Sequence, residues 1–388
     1  MKSVFTIIWN EAGVSRAEIA KRTKLSKTTI SSLVEELIQR DFIIDTGKVV
    51  TKAVGRRPNT LFVKEKSHFF PIINWSRNKV DFSIIDFFGN VEFSQSVKVQ
   101  NKDQFIPVTV KFLKSVCSRE AFKGKIVGCC LVLPGMIDIS HDILYSTTLE
   151  IFDTKAERIY AEIHEACMKY PLLVIQDTAC YAYAEKIYTQ IQSKNYAFIN
   201  FNIGIGASLF VEGKMLGKAN GSFTQFGHYS IDSKGAHCAC GNRGCLENEI
   251  GEYNLATRYR ALSKGASQTL PEYLTYEDLG SAIKQGDKTA EEVVTALAVD
   301  FGQALRNLIV IVNPDLIVLG GKCQNLGDLF LSQVKEALRV QGFNQMTKYT
   351  DIRYTKLDYN SYLRGAMRYF FDIYYDFLDS SNNEIFIG

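Results

Sequence analysis

The chain has 388 residues, 46% of them hydrophobic and 22% charged, with a net charge of +3. That length suits two or three domains and that composition is ordinary for a globular protein, which excludes a disordered or collagen-like chain. No signal pattern opens the sequence and no apolar run approaches a membrane span, so nine cysteines point to a reducing, cytoplasmic setting without a membrane partner. The charge is uneven. Residues 1–66 hold 13 Lys/Arg against 7 Asp/Glu, about +6, which leaves the remainder near −3. A small basic segment ahead of a mildly acidic body predicts a nucleic-acid-binding module.

Residues 1–11 predict a helix with Val4, Ile7 and Ile8 on one face, ended by Gly13. Ser15 with Glu18 reads as a capping box that opens a short second helix, Ile19 and Ala20 inside it. Leu25 and Ser26 mark a turn and another N-cap. A third helix follows from Lys27 to Arg40, with Ile30, Leu33, Val34, Leu37 and Ile38 at helical spacing. Ser26, Lys27, Thr28, Thr29 and Ser32 are left on its N-terminal, polar face. Short hydroxyls and a lysine there suit a recognition helix in the major groove of double-stranded DNA. Phe42-Ile43-Ile44 and Val49-Val50-Thr51 read as strands around a turn at Gly47. The loop Gly55-Arg56-Arg57-Pro58 completes a winged helix-turn-helix, with Arg56 and Arg57 able to reach phosphates or a minor groove.

From residue 67 strands alternate with helices. His68–Trp75, Val80–Asp86 and a strand from Val91 form one run. Tyr196–Asn202, Gly206–Glu212 and the turn Gly213-Lys214 begin another of the same kind, which predicts a duplicated, two-lobed α/β body. Ile126–Leu133 reads as a buried strand ending at Pro134-Gly135. Leu172–Ile175 ends at Gln176-Asp177 and passes into a helix through Glu185, so Asp177 sits where a strand becomes a helix, a common place for a functional carboxylate or an N-cap. Residues 297–312 form an apolar helix, Asn313-Pro314-Asp315 turns into the strand Leu316–Leu319, and Gly320-Gly321 closes it. A last helix, 361–378, carries aromatics suited to core and interface.

Between these lie His228, Cys238, Cys240 and Cys245. One imidazole and three thiolates make a complete tetrahedral set for one structural zinc ion per chain, with no position left for a reacting water. His237 competes as a ligand, but neighbouring residues rarely both face one ion, which favours His228. The plainer reading is a set of free thiols.

Together these segments resemble the ROK family of repressors and sugar kinases, and within it the winged-helix branch of xylose- and N-acetylglucosamine-type repressors. The resemblance rests on His228-x9-Cys238-x-Cys240-x4-Cys245, on Gly55-Arg56-Arg57-Pro58, and on Pro134-Gly135, Asn313-Pro314 and Gly320-Gly321 in order. It implies an actin-like, hexokinase-like two-lobed ATPase fold behind a winged helix: residues 1–66 for the DNA-binding domain, 67–175 for a first lobe completed by a C-terminal helix at 360–388, and 176–359 for a second lobe with the zinc site. It also implies a sugar pocket at Thr148, Gln176, Asp177, Gln225, His228 and Glu247, with Asp177 at the position of the kinases' catalytic base.

The kinase turns are altered. Asn74-Trp75-Ser76-Arg77-Asn78-Lys79 stands where kinase members carry Asp-x-Gly-Gly-Thr-Lys, and Asn202-Ile203-Gly204-Ile205-Gly206 where they carry Gly-Thr-Gly-x-Gly. Phosphate cradles need glycines for close backbone approach. The expectation is therefore a sugar-responsive regulator with no catalytic residue, a homodimer or homotetramer on operator DNA. A ROK-type sugar kinase with a fused DNA-binding domain is the alternative.

Overall fold

A computed structural model of the chain describes residues 1–46, 60–138, 141–167, 170–217, 224–263, 272–340 and 343–377. They fall into two compact units. The first takes Met1–Leu131, Arg158–Val174 and the described residues from Met367; the second takes Val132–Glu157 and Ile175–Ala366.

The first unit opens with α1 (Lys2–Asn10), β1 (Val14–Ser15), α2 (Arg16–Thr23), α3 (Lys27–Gln39), β2 (Ile43–Asp45) and β3 (Thr60–Val63). Both N-caps form as the sequence predicts: Ser15 accepts the Glu18 N–H at 3.2 Å and Ser26 accepts the Thr29 N–H at 3.0 Å. Val4, Phe5, Ile8, Ile19, Ile30, Val34 and Leu37 are buried together, whereas Leu33 and Ile38 are only half-buried. β3 is not foreseen from sequence. It lies between β1 and β2, pairing Leu61 with Val14 and Val63 with Ile43. The expected strand at 49–51 and the loop at 55–58 lie outside the described residues.

Next come β4 (Phe70–Ser76), β5 (Lys79–Ile85), β6 (Val91–Lys98), α4 (Phe105–Cys117), β7 (Cys129–Leu133), β8 (Met136–Asp138), β9 (Ile143–Ser146), β10 (Ile151–Thr154), α5 (Ala156–Ala166) and β11 (Leu172–Gln176), of which β8, β9 and β10 belong to the second unit. The strand expected from Ile126 starts at Cys129, and Ile126 makes a single parallel bridge to Phe69. One sheet runs in the order β11-β7-β4-β5-β6. The N-terminal helices are bonded into this unit through aromatic residues. Phe5 and Trp9 pack on Phe87 and Phe371, and the Trp9 Nε1–H donates to the Phe87 carbonyl at 2.9 Å. The buried Arg368 guanidinium lies 4.2 Å from the Trp9 ring centroid and donates to Asn10 Oδ1 at 2.7 Å.

The second unit adds α6 (Asp177–Tyr188), β12 (Tyr196–Phe201), β13 (Ile205–Val211), β14 (Lys214–Met215), α7 (Leu246–Ile250), α8 (Glu252–Leu262), α9 (Tyr276–Lys284), α10 (Lys288–Val312), β15 (Leu316–Gly321), α11 (Gly327–Val340), α12 (Asn344–Thr347), β16 (Asp351–Tyr354) and the start of α13 (Ser361–Ile373). Its sheet order, β14-β13-β12-β15-β16, repeats that of the first sheet strand for strand. This is the duplication that an actin-like, hexokinase-like body requires. β12 pairs antiparallel with β13 and parallel with β15, so the Asn202–Gly206 turn and Gly320-Gly321 lie at one end of the sheet.

Two expectations need correction. The apolar helix begins at Lys288 rather than 297, which makes α10 long and apolar enough to cross a membrane by length and composition. Val293, Val294, Leu297, Phe301, Leu305 and Ile309 bury its inner face in the second unit's core, and Arg258 pairs with its Asp300 at 2.6 Å. It is a core helix. The last helix ends at Ile373 instead of 378, and Tyr375 and Phe377 pack against each other beyond it.

Candidate metal centre and ligand pocket

The loop between β14 and α7 draws one imidazole and three thiols together. The ligand atoms of His228, Cys238, Cys240 and Cys245 all lie within 4.8 Å of one another. Cys238 Sγ is 3.6 Å from His228 Nδ1, and Cys240 Sγ is 3.6 Å from Cys245 Sγ. A tetrahedron of about 2.3 Å metal–sulfur bonds has edges of about 3.8 Å, so the spacing fits a tetrahedral ion. Burial raises the Cys238 and Cys245 thiols, and a cation is the counter-charge that would let thiolates persist there. The four residues can hold a metal ion. His237 turns away, its Nε2 against Arg243 Nη2. Gly244 takes φ +57°, and a Cβ there would lie 1.8 Å from the Asp232 carbonyl oxygen, so only glycine lets the loop close onto Cys245.

The metal cluster continues directly into a second site. Cys245 is the residue before α7, which places the buried Glu247 in its first turn. Glu247 Oε2 accepts the backbone N–H of Ile205 at 2.8 Å. A Cβ on Gly204 would meet the same oxygen at 2.5 Å, so the glycine permits this close approach. Burial raises the Glu247 carboxyl, opposed by the Ile205 N–H and by the neighbouring His228 imidazole. On the other side of the Asn202–Gly206 turn stands Asp177, the first residue of α6. Its Oδ1 accepts the Thr178 N–H at 2.6 Å, and its carboxylate also bonds the Asn202 side chain. Desolvation outweighs these bonds and pushes its pKa up to about 6. Asp177 and Glu247 therefore grip one turn from two directions.

Two buried acceptors beside this turn lack hydrogen-bond partners among the described residues: Gln176 Oε1 and Asn200 Oδ1. Gln176 closes β11 and Asn200 lies in β12, two residues before the turn. Buried polar atoms are normally satisfied, so such orphaned acceptors suit a ligand that donates hydrogen bonds. Asn200 was not singled out from sequence. Its only sequence signal is a polar residue inside an otherwise apolar strand. Gln225 precedes the 3-10 turn Phe226–His228, where a Cβ on Gly227 would lie 3.1 Å from Glu247 Oε2. Thr148 sits half-buried in the turn between β9 and β10 of the same unit, outside the contacts that join Asp177, Asn202 and Glu247.

Neither kinase-like turn is shaped for phosphate. Ser76 and Lys79 pair across a tight β4–β5 hairpin, which closes the first turn. Trp75 is buried and donates to Thr109 Oγ1 at 2.9 Å, so it fills core space. Lys79 is paired with Asp81 at 2.7 Å. In the second turn the Ile205 N–H is already taken by a carboxylate, which would also repel an incoming phosphate.

On α3, Ser26, Lys27, Thr28, Thr29 and Ser32 are all exposed, on the face opposite Ile30, Val34 and Leu37. Ser26 and Thr29 bond each other through their hydroxyls at 2.8 Å as part of the cap, so Lys27, Thr28 and Ser32 carry the free polar surface. Arg56 and Arg57 lie outside the described residues.

Comparison with known proteins agrees with this arrangement. A winged helix-turn-helix DNA-binding pattern matches residues 2–44, and the ROK family pattern matches residues 73–372. The chain is 25% identical to the xylose repressor of Caldicellulosiruptor bescii, covering 93% of this chain and 92% of that protein. It is 19% identical to the DNA-binding transcriptional repressor Mlc of Escherichia coli K12, covering 94% and 91%. Among solved structures, a ROK family transcriptional regulator homologous to E. coli Mlc superposes with a TM-score of 0.79 at 22% identity, covering 96% of each chain. With three quarters of its length in the family pattern and a DNA-binding segment ahead of it, the chain belongs to the ROK family.

Proposed function

We infer that the protein is a DNA-binding transcriptional repressor of carbohydrate genes, and that a sugar or sugar derivative controls it. The winged helix-turn-helix and the repressors that resemble the chain along nearly its whole length support the first half. The observation that carries the second is the pair of orphaned buried acceptors, Gln176 Oε1 and Asn200 Oδ1, beside Asp177. A polyol offers several O–H donors in a small volume and would satisfy both. In this reading Thr148, Gln176, Asp177, Gln225, His228 and Glu247 contact the effector. His228, Cys238, Cys240 and Cys245 hold one structural zinc ion, and His228 Nδ1 serves the metal while Nε2 is left toward the pocket. Zinc with four protein ligands supplies shape to the Glu247 segment and no chemistry of its own.

Lys27, Thr28 and Ser32 reach the major groove, with Ser26 and Thr29 setting the start of the recognition helix, and Arg56 and Arg57 supply the wing. The domain division is 1–66, 67–175 with 360–388, and 176–359. Two or four copies work in the cytoplasm on a palindromic operator, and the effector acts by binding DNA-competent and DNA-incompetent states with different affinity. The body is a sensor rather than a kinase, since the residues at both phosphate turns are otherwise engaged.

A thermal-shift screen of neutral sugars on the purified protein, followed by operator release, tests the reading. At least one sugar should raise the melting temperature and release operator. Sugar-dependent ATP turnover at ordinary kinase rates would overturn it.

A further inference from the structure

A cavity lies in the second unit, at the opposite end of its sheet from the Asn202–Gly206 turn. Strand register places Tyr196, Leu316 and Asp351 together at that end, with Phe201 and Gly321 at the other. Six residues of β15 separate the two ends, a span of about 17 Å at about 3.3 Å per residue. The cavity measures about 570 Å³ and is formed by the second half of α11, by α12 and by the start of β16. That volume suits a small metabolite.

Its lining is cationic. Lys335 and Arg339 both face it, one helical turn apart on α11. Neighbouring like charges on a helix repel. Yet neither has an ion-pair or hydrogen-bonding partner among the described residues, although Lys322, Lys288, Lys64 and Arg258 elsewhere in the chain each find a carboxylate. Lys348 adds a third cation, bonded among the described residues to the neutral Gln345 at 3.3 Å and lying 4.8 Å from the Tyr349 ring centroid. Asp351 is the one carboxylate among the described lining residues. Leu338 and Ile352 make an apolar floor, and Tyr349 is 74% exposed at the rim.

We propose that this groove between α11, α12 and β16 binds a phosphorylated small metabolite, as a second ligand site separate from the sugar pocket. Lys335 and Arg339 take the phosphate, Asn344 and Asp351 take hydroxyls, and Tyr349 offers a face to a ring. The phosphomonoester is the shared chemistry; a sugar phosphate and a mononucleotide are its two sources.

Calorimetry on the full chain tests this with inorganic phosphate, glucose 6-phosphate and AMP, each set against glucose and adenosine. Saturable binding is expected for at least one phosphorylated probe and for neither neutral partner at this site. A stronger response to glucose 6-phosphate or to AMP identifies the source. Lys335→Ala with Arg339→Ala should weaken that binding about tenfold or more, while Asp177→Asn leaves it unchanged. A circular-dichroism melt of the double variant establishes that it is folded. Absence of saturable binding by every phosphorylated probe, or binding that survives in the folded double variant, overturns the proposal. Either result leaves the neutral-sugar reading untouched, because that pocket shares no residue with this groove.

Discussion

The Glu247 carboxylate accepts the backbone N–H of Ile205 at 2.8 Å, across 42 positions of sequence. Through it the Cys245 end of the metal cluster reaches the turn that Asp177 holds from the other side by way of Asn202. The His/Cys cluster, the carboxylate and the turn form one connected structure, so disturbing the cluster should be felt at the turn.

Metal analysis of the purified protein should return about one zinc per chain. Cys240→Ser should bring this toward zero and lower the unfolding temperature. Sugar-induced operator release should be lost in that variant, while operator binding without sugar persists. Elemental analysis and gel-shift titration check both parts.

Glu247→Ala leaves the Ile205 N–H buried without an acceptor, at a cost of about 1–3 kcal/mol. Glu247→Gln keeps an acceptor oxygen and should cost less. Denaturant unfolding ranks the two, and the expected order is wild type, Gln, Ala.

Asp177 gives a pH signature. Its carboxyl is raised from 3.8 to about 6 in the folded chain, so the folded state keeps its proton after the unfolded state has lost it. Stability from this group therefore falls as pH rises from about 4 through about 6, and burial of the carboxylate is a standing cost at pH 7. Asp177→Asn should flatten that slope and raise stability at pH 7 by about 1–3 kcal/mol, while impairing the sugar response. Urea melts at pH 4, 5, 6 and 7 measure it.

In the DNA-binding segment, Ser26→Ala should cost about 1 kcal/mol through loss of the cap on α3. Lys27→Ala should lower the slope of log affinity against log salt by about one, and changing Arg56 and Arg57 together should lower it by about two. Operator titrations at three salt concentrations separate the cap effect, which moves stability, from the charge effect, which moves the slope.

Much of this was legible in the sequence because it is encoded over short distances. Ser15 and Ser26 announce their helices within three residues. The spacing from Cys238 to Cys245 is a loop that one ion can gather, and Ser76 and Arg77 in place of glycines disclose a closed first turn. The long α10 was only partly legible, since Lys288, Thr289, Glu291 and Glu292 are polar and only the packing of Ala290 and Val293 shows that the helix has begun.

The sequence by itself determined the family, the duplicated α/β plan, the helix-turn-helix and the His/Cys set that could hold a metal ion. Each of these is written in residue type and local spacing. Only the tertiary structure decided that Glu247 closes on Ile205, that Asn200 and Gln176 are left as orphaned acceptors, that β3 joins β1 to β2, and that Lys335 and Arg339 share a groove. Those relations depend on strand register and on packing between distant segments, which no local pattern specifies, because a contact's free energy depends on what the remainder of the fold brings to that place.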